Sequence, residues 1–330
     1  MANVPPRRPF FLFALVILAL VTPTVSVPQA MSADRRPFSR ARAGFTLSVN
    51  NTVVPYRVSG LFVLPGERLS LQAAPPGAPV ALRAAGGTAV RLAPHLWQWH
   101  APHTPGLYPV QLSRPAKGAV TLNVFVMVPA RRVRGGWLNG YRIGPYPPRP
   151  FPRRPALTDE RPRGFVEVTR NNEGTLVAPH FALTQFLCKQ TAKYPKYLVL
   201  KEQLLWKLEA VLERANQRGY QCDTLSVISG YRTPYYNHAI GNVTHSRHLW
   251  GDAADIFIDA HPRDGRMDDL NRDGVIDFRD AAALYELIDG LQRSAASPHF
   301  AGGLAPYRGT PSHGPFVHVD VRGHLARWNR

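Results

Sequence analysis

The chain is poor in cysteine, in acidic residues and in long apolar runs. Its 330 residues hold only two cysteines, Cys188 and Cys222. Neither lies near the N-terminus, which excludes lipid attachment of the bacterial lipoprotein type. The pair leaves two readings open, one disulfide in an oxidising compartment or two buried thiols. Acidic side chains number 22 against 40 lysines and arginines, a formal charge of +18. The basic residues are scattered, many of them in Arg/Pro stretches such as Pro147–Pro155. The one long apolar run, Phe10–Val21, is short for a membrane span, which needs about 20 residues.

That run follows Arg7 and Arg8 and precedes small residues, with Ala30 and Ala33 as candidate cleavage points. Residues 1–33 therefore read as a signal peptide or an uncleaved N-terminal membrane anchor, and the chain as exported to the periplasm or cell envelope. Export argues against a nucleic-acid partner. The polyanions that suit the charge outside a membrane are cell wall, anionic lipid and lipopolysaccharide.

The length suggests two domains, and the 32 prolines cluster between apolar segments. From Phe45 to about residue 130 the pattern is β-like. Val120, Leu122, Val124, Val126 and Val128 alternate with Thr121, Asn123, Phe125 and Met127, as on a strand with one buried face. The Pro105-Gly106-x-Tyr108 stretch suggests a tyrosine corner, so residues 45–130 are expected to form a small immunoglobulin-like β-sandwich with an accessory role. Asn139-Gly140, between apolar and aromatic residues, is a hairpin signal, and 131–163 reads as hairpin plus Pro/Arg-rich linker. Residues 164–330 mix elements without a βαβ rhythm, so the fold class expected there is α+β. Leu204, Leu208, Val211, Leu212 and Ala215 stripe a helix from Leu200 to Arg218 that Gly219 stops. Thr224–Ser229, Ala253–Asp259 and Phe316–Gly323 read as strands.

Chemistry-bearing side chains gather on the last of these. In Phe316–Gly323 the valines at 317, 319 and 321 share one face, while His318 and Asp320 share the other, about 7 Å apart. In Ser246–Asp255, Asp255 faces away from Ala254 and Ile256, and His248 precedes it in a loop that Gly251 lets turn sharply. A catalytic zinc needs three protein ligands, usually His and carboxylate, and one open position. His248, Asp255 and His318 supply such a set, with His245 and Asp252 as rivals. Arg232, in a tight turn after a strand, is suited to hold a carboxylate.

Ser246-x-His248-x-x-Gly251-x-Ala253-x-Asp255, preceded by Ser229-Gly230-Tyr231-Arg232 and followed by Phe316-Val317-His318-Val319-Asp320, resembles the zinc D-Ala-D-Ala carboxypeptidase and murein endopeptidase family. These LAS metallopeptidases have a Hedgehog-like fold with an antiparallel sheet and helices. The resemblance spans about Pro179 to Arg330, and Gly302-Gly303, Tyr307, Arg322 and Arg327-Trp328 look like the family's C-terminal end. It implies that His248, Asp255 and His318 bind zinc, that Arg232 holds substrate or a developing oxyanion, and that Ser246 has a supporting role. It also implies a peptide substrate from peptidoglycan. Many members place an acid three residues before the last zinc histidine, or a histidine two before it; here those positions are Pro315 and Phe316. Asp320 is then the first candidate for general base and His313 the second. Without a base, the alternative is a non-catalytic zinc-containing wall-binding module. The bond cut and the oligomeric state are left open.

Asp269–Asp280 follows the spacing of a calcium loop. Asp269, Asn271, Asp273, the Val275 carbonyl, Asp277 and Asp280 fall at ligand positions and Gly274 at the sharp turn. This insertion is expected to hold a structural calcium ion.

Overall fold

The computed structural model describes Met1 and residues 38–76, 79–148, 161–294 and 300–329. The apolar run at Phe10–Val21 and part of the expected linker lie outside the described residues. Among the described residues no helix is long and apolar enough to cross a membrane.

The first part of the chain is all strand: β1 (Arg42–Val49), β2 (Thr52–Tyr56), β3 (Val58–Val63), β4 (Arg68–Ala74), β5 (Ala81–Ala84), β6 (Thr88–Ala93), β7 (Leu96–His100), β8 (Gly106–Arg114) and β9 (Gly118–Val126). They form a five-stranded sheet in the order β2-β1-β4-β7-β6 and a four-stranded sheet in the order β3-β9-β8-β5. Leu47, Leu71 and Trp99 of the first sheet share one apolar core with Val110, Leu122 and Val124 of the second. The Tyr108 hydroxyl donates to the carbonyl of Thr104 at 3.1 Å. The period-two pattern of β9 buries Val120, Leu122, Val124 and Val126 on one side. Phe125, on the other side, belongs to a second core.

That second core begins before the Pro/Arg-rich stretch. β10 (Val128–Pro129) leads to β11 (Trp137–Leu138) and β12 (Tyr141–Arg142), which pair across Asn139-Gly140. Both turn residues have positive φ, 46° and 80°, as the tightest hairpin turn requires. Leu138, Tyr141 and Ile143 are buried in the second core, so up to residue 148 this segment is packed structure as well as connection.

The rest comprises β13 (Gly164–Val168), β14 (Leu176–Ala178), β15 (Phe181–Ala182), β16 (Lys196–Leu198), α1 (Glu202–Gln217), β17 (Ser226–Ser229), α2 (Pro234–Ala239), β18 (Ala253–Phe257), α3 (Phe278–Arg293), β19 (Gly303–Tyr307), β20 (Phe316–Asp320) and β21 (Ala326–Arg327). This is the mixed α+β architecture expected. Its centre is a five-stranded sheet in the order β17-β18-β20-β19-β21, antiparallel except for the last pair. Ala254, Ile256, Val317 and Val319 give that sheet an apolar face in the same core as Leu204, Leu208 and Leu212 of α1 and Leu284 and Ile288 of α3. The opposite residues of β18 and β20 are left for chemistry.

Helix α1 buries more than its apolar stripe because it is enclosed on several sides. Glu213 pairs with Arg42, Glu209 accepts from the backbone and ring of His180, and Glu202 accepts from Phe62 N at 3.2 Å. Cys188 and Cys222 are both buried free thiols, so the disulfide alternative is not realised.

A candidate metal centre

The sheet register assembles the centre. Asp255 on β18 lies opposite His318 on β20 and next to Ser229 on β17, while Ala305 of β19 flanks His318 on the other side. Ser229, Asp255, His318 and Ala305 thus form one row across four strands. The outer two are small and leave room above the inner two. His248 arrives from a 3₁₀ turn, Arg247–Trp250, that enters β18 through Gly251. Gly251 has φ +67°, and a Cβ there would lie 2.2 Å from the carbonyl oxygen of Val199. Only glycine turns the chain at this point without displacing that backbone.

The three side chains meet at single atoms. His248 Nε2 is 3.2 Å from Asp255 Oδ1, His318 Nδ1 is 2.9 Å from the same oxygen, and the two nitrogens are 3.3 Å apart. A tetrahedral zinc with bonds of about 2.0–2.1 Å sets its ligand atoms about 3.3 Å apart. The triangle therefore matches one face of a zinc tetrahedron and leaves the fourth vertex free. Among the described residues these three are the one group of His, Cys, Asp or Glu whose ligand atoms converge in this way.

Each of the three side chains is held from behind, as histidines that bind metal usually are. His248 Nδ1 donates to the Gly230 carbonyl at 2.6 Å, which fixes Nε2 as the free nitrogen. His318 has the reverse tautomer, with Nε2 3.3 Å from Asp320 Oδ2 and Nδ1 in the triangle. Asp255 keeps Oδ1 for the centre and accepts on Oδ2 from Arg232 Nη2 at 2.6 Å. Arg232 is anchored in turn by its Nε on Ser229 Oγ at 2.7 Å.

The electrostatics suit a cation. Burial opposes charge on His318, yet its hydrogen bonds to Asp255 and Asp320 prevail and push the imidazole up to about 9. Burial also opposes charge on Asp255, but His248 and His318 hold it well below the usual carboxylate range. Asp320 goes the same way, with His318 and Arg322 outweighing burial. For His248 burial is the largest influence, and its imidazole is pushed down towards the neutral, ligating form.

The candidates for general base fare differently. Asp320 is fully buried on the far side of the His318 ring and does not line the cleft. Its carboxylate accepts from Gly303 N, Arg322 N and the Arg322 guanidinium. The sequence reading put it on the correct face of the strand, but its outward neighbours claim the carboxylate, so it positions His318. His313 is also absent from the cleft lining, with Nδ1 on the Gly314 carbonyl and its ring edge-on to Phe316. Of the rival ligands, Asp252 is buried against Arg247, and His245 lines the cleft outside the triangle.

The cleft above the triangle has a volume of about 580 Å³. Its walls include Arg232, His245 and Ser246, and an aromatic group of Tyr307, Phe316 and Trp328. The C-terminal wall was only loosely legible in sequence. Tyr307 stacks on Phe316 at 4.8 Å, Trp328 Nε1 donates to the Tyr307 hydroxyl at 2.8 Å, and the Trp328 ring lies 5.4 Å from that of His318. Lys207 was missed altogether, since a lysine within an apolar helical stripe looks like a solvated position. It is fully buried, and its Nζ donates to the Asp320 carbonyl at 2.6 Å.

The loop expected to hold calcium is not among the groups of converging ligand atoms found in the described residues. Asp269 accepts from Asp273 N and Gly274 N, Asn271 from Asp273 N, and Asp273 from Val275 N. Asp280 is buried and serves the backbone N–H groups of Leu270, Asn271 and Asp277. The carboxylates at the ligand positions close the loop on itself and cap α3.

Residues 174–273 match the Peptidase M15 family. The matched stretch holds Arg232, His248 and Asp255, and the sheet brings in His318 from beyond it. The match lies within the C-terminal half and supports the zinc D-Ala-D-Ala carboxypeptidase-like M15 family, and the His-Asp-His triangle is a possible site for the zinc on which that family depends. No curated protein matches the chain.

Proposed function

We propose that the M15 half is a zinc peptidase that hydrolyses peptide bonds in peptidoglycan stem peptides or cross-links, outside the cytoplasmic membrane. The observation that carries the reading is the triangle of His248 Nε2, Asp255 Oδ1 and His318 Nδ1, with edges of 2.9–3.3 Å below an open cleft. These three residues would hold the metal. Zinc supplies Lewis-acid polarisation of the scissile carbonyl and a water made acidic enough to attack it.

The chain's own residues do the rest. Gly230 and Asp320 fix the two imidazole tautomers, and Arg232 orients Asp255. The Nη1 of Arg232 has no hydrogen-bond partner among the described residues, and its side chain lines the cleft. It is a donor suited to a substrate carboxylate or to the charge that develops on the carbonyl oxygen. The Tyr307, Phe316 and Trp328 wall gives the substrate an apolar surface and limits water on that side.

A second reading, a wall-binding module without catalysis, draws support from one observation: no carboxylate other than Asp255 lines the cleft among the described residues. One experiment separates the two. Zinc-loaded protein is incubated with bacterial sacculi, and soluble muropeptides are identified by mass spectrometry with and without a chelator. Chelator-sensitive loss of one cross-link or stem-peptide class supports the peptidase and names its bond. Sacculus binding without any product supports the module.

A further inference from the structure

The peptidase reading requires a group that takes a proton from the attacking water, and neither sequence candidate faces the cleft. Asp320 stands behind His318, and His313 is turned onto Gly314 and Phe316. The charged groups that do line the cleft are Arg232, Arg247 and Arg322, which cannot accept a proton, and the three ligands, whose lone pairs are committed. Tyr307 accepts from Trp328, and a phenol is a poor base near neutrality. Among the described residues one imidazole remains in the lining, that of His245.

We propose that His245 is the general base and acid of this site. It lies on the exposed turn before the 3₁₀ segment that carries His248, closed by the Ser246 N to Val243 carbonyl bond at 3.2 Å. Its imidazole makes no hydrogen bond, ion pair or ring contact among the described residues, so both nitrogens are available to solvent and substrate. His248 is buried by contrast, with Nδ1 on the Gly230 carbonyl and Nε2 in the triangle. In the step assigned to His245, its unprotonated nitrogen takes a proton from water as the water oxygen bonds to the carbonyl carbon. The carbon–nitrogen bond then breaks, and the same proton passes to the leaving amine. Atoms and charge balance, and water is the only co-reactant.

The proposal rests on the peptidase reading, and its test keeps the two apart. Full-length wild type and His245→Ala are loaded with zinc and assayed on whichever muropeptide the sacculus digest names. Metal content is measured in parallel. His245→Ala should keep its zinc and fold while kcat falls about 100-fold or more, with partial recovery on adding imidazole. The acid limb of the wild-type kcat profile should be absent from the variant. A readout free of turnover is the ring-proton NMR signal of His245, identified by its loss in the variant. Adding the product peptide should move it. Unchanged kcat and pH profile in His245→Ala, beside an active wild type, overturn the assignment and leave the peptidase standing. A wild type with zinc and no product on any muropeptide overturns both.

Discussion

Asp320 Oδ2 lies 3.3 Å from His318 Nε2, across the imidazole from the Nδ1 that faces Asp255. The strand that offers His318 to the centre therefore also carries, two residues on, the group that orients it. Gly302 and Gly303 make this possible, because a Cβ on Gly303 would lie 2.2 Å from Asp320 Oδ2. Asp320→Asn keeps the shape and removes the charge. Zinc affinity should fall roughly 10- to 100-fold with the fold intact, as read by competition with a chromophoric chelator. Unaltered affinity would show that Asp320 serves only Gly303 and Arg322.

Lys207 gives the fold a pH dependence of its own. Burial lowers its pKa to about 7, against the pull of Asp320. In the unfolded chain a lysine titrates near about 10.4. Between those values the unfolded state binds more protons, so this residue makes stability rise with pH across that window, and below about 7 its cost is present in full. Lys207→Met should gain on the wild type most under mildly acidic conditions, and the difference should shrink towards pH 10. Chemical denaturation of both proteins across the range measures it. A difference independent of pH would contradict the assignment.

Gly251→Ala should destabilise the chain by about 2 kcal/mol or more, since it adds left-handed backbone strain to a clash with the Val199 carbonyl. Because Gly251 ends the turn that carries His248, zinc affinity should fall with it. Thermal melts with and without zinc give both numbers, and a variant as stable as wild type would mean that the turn relaxes freely.

Asp280→Ala should cost about 2 kcal/mol even in the presence of a chelator. It removes the acceptor for Leu270 N and Asn271 N and one half of the α3 cap. A loss seen only in calcium-loaded protein would support the calcium reading of the loop.

What could be read from sequence followed the period of the elements. Two-residue alternation in Phe316–Asp320 placed His318 and Asp320 on the face opposite the valines, and the structure has them there. The spacing of His248, Gly251 and Asp255 named a turn and a strand, and β18 with its preceding 3₁₀ turn supplies both. Which side of an imidazole a neighbour takes is a matter of rotamer and cross-strand packing, so Asp320 read as a base although it positions His318. Lys207 was invisible because α1 packs against strands from both ends of the chain, and that enclosure is not a local property. His245 looked like a rival ligand because only register decides which of two nearby histidines reaches Asp255.

The central claim is the metal triangle, and metal stoichiometry tests it most directly. Purified full-length wild type and His248→Ala are dialysed against limiting zinc and weighed for bound metal by mass spectrometry, with circular dichroism as the check on folding. The account predicts one zinc per wild-type chain and a folded His248→Ala that retains almost none. Wild type without zinc, or His248→Ala with a full complement, would contradict it.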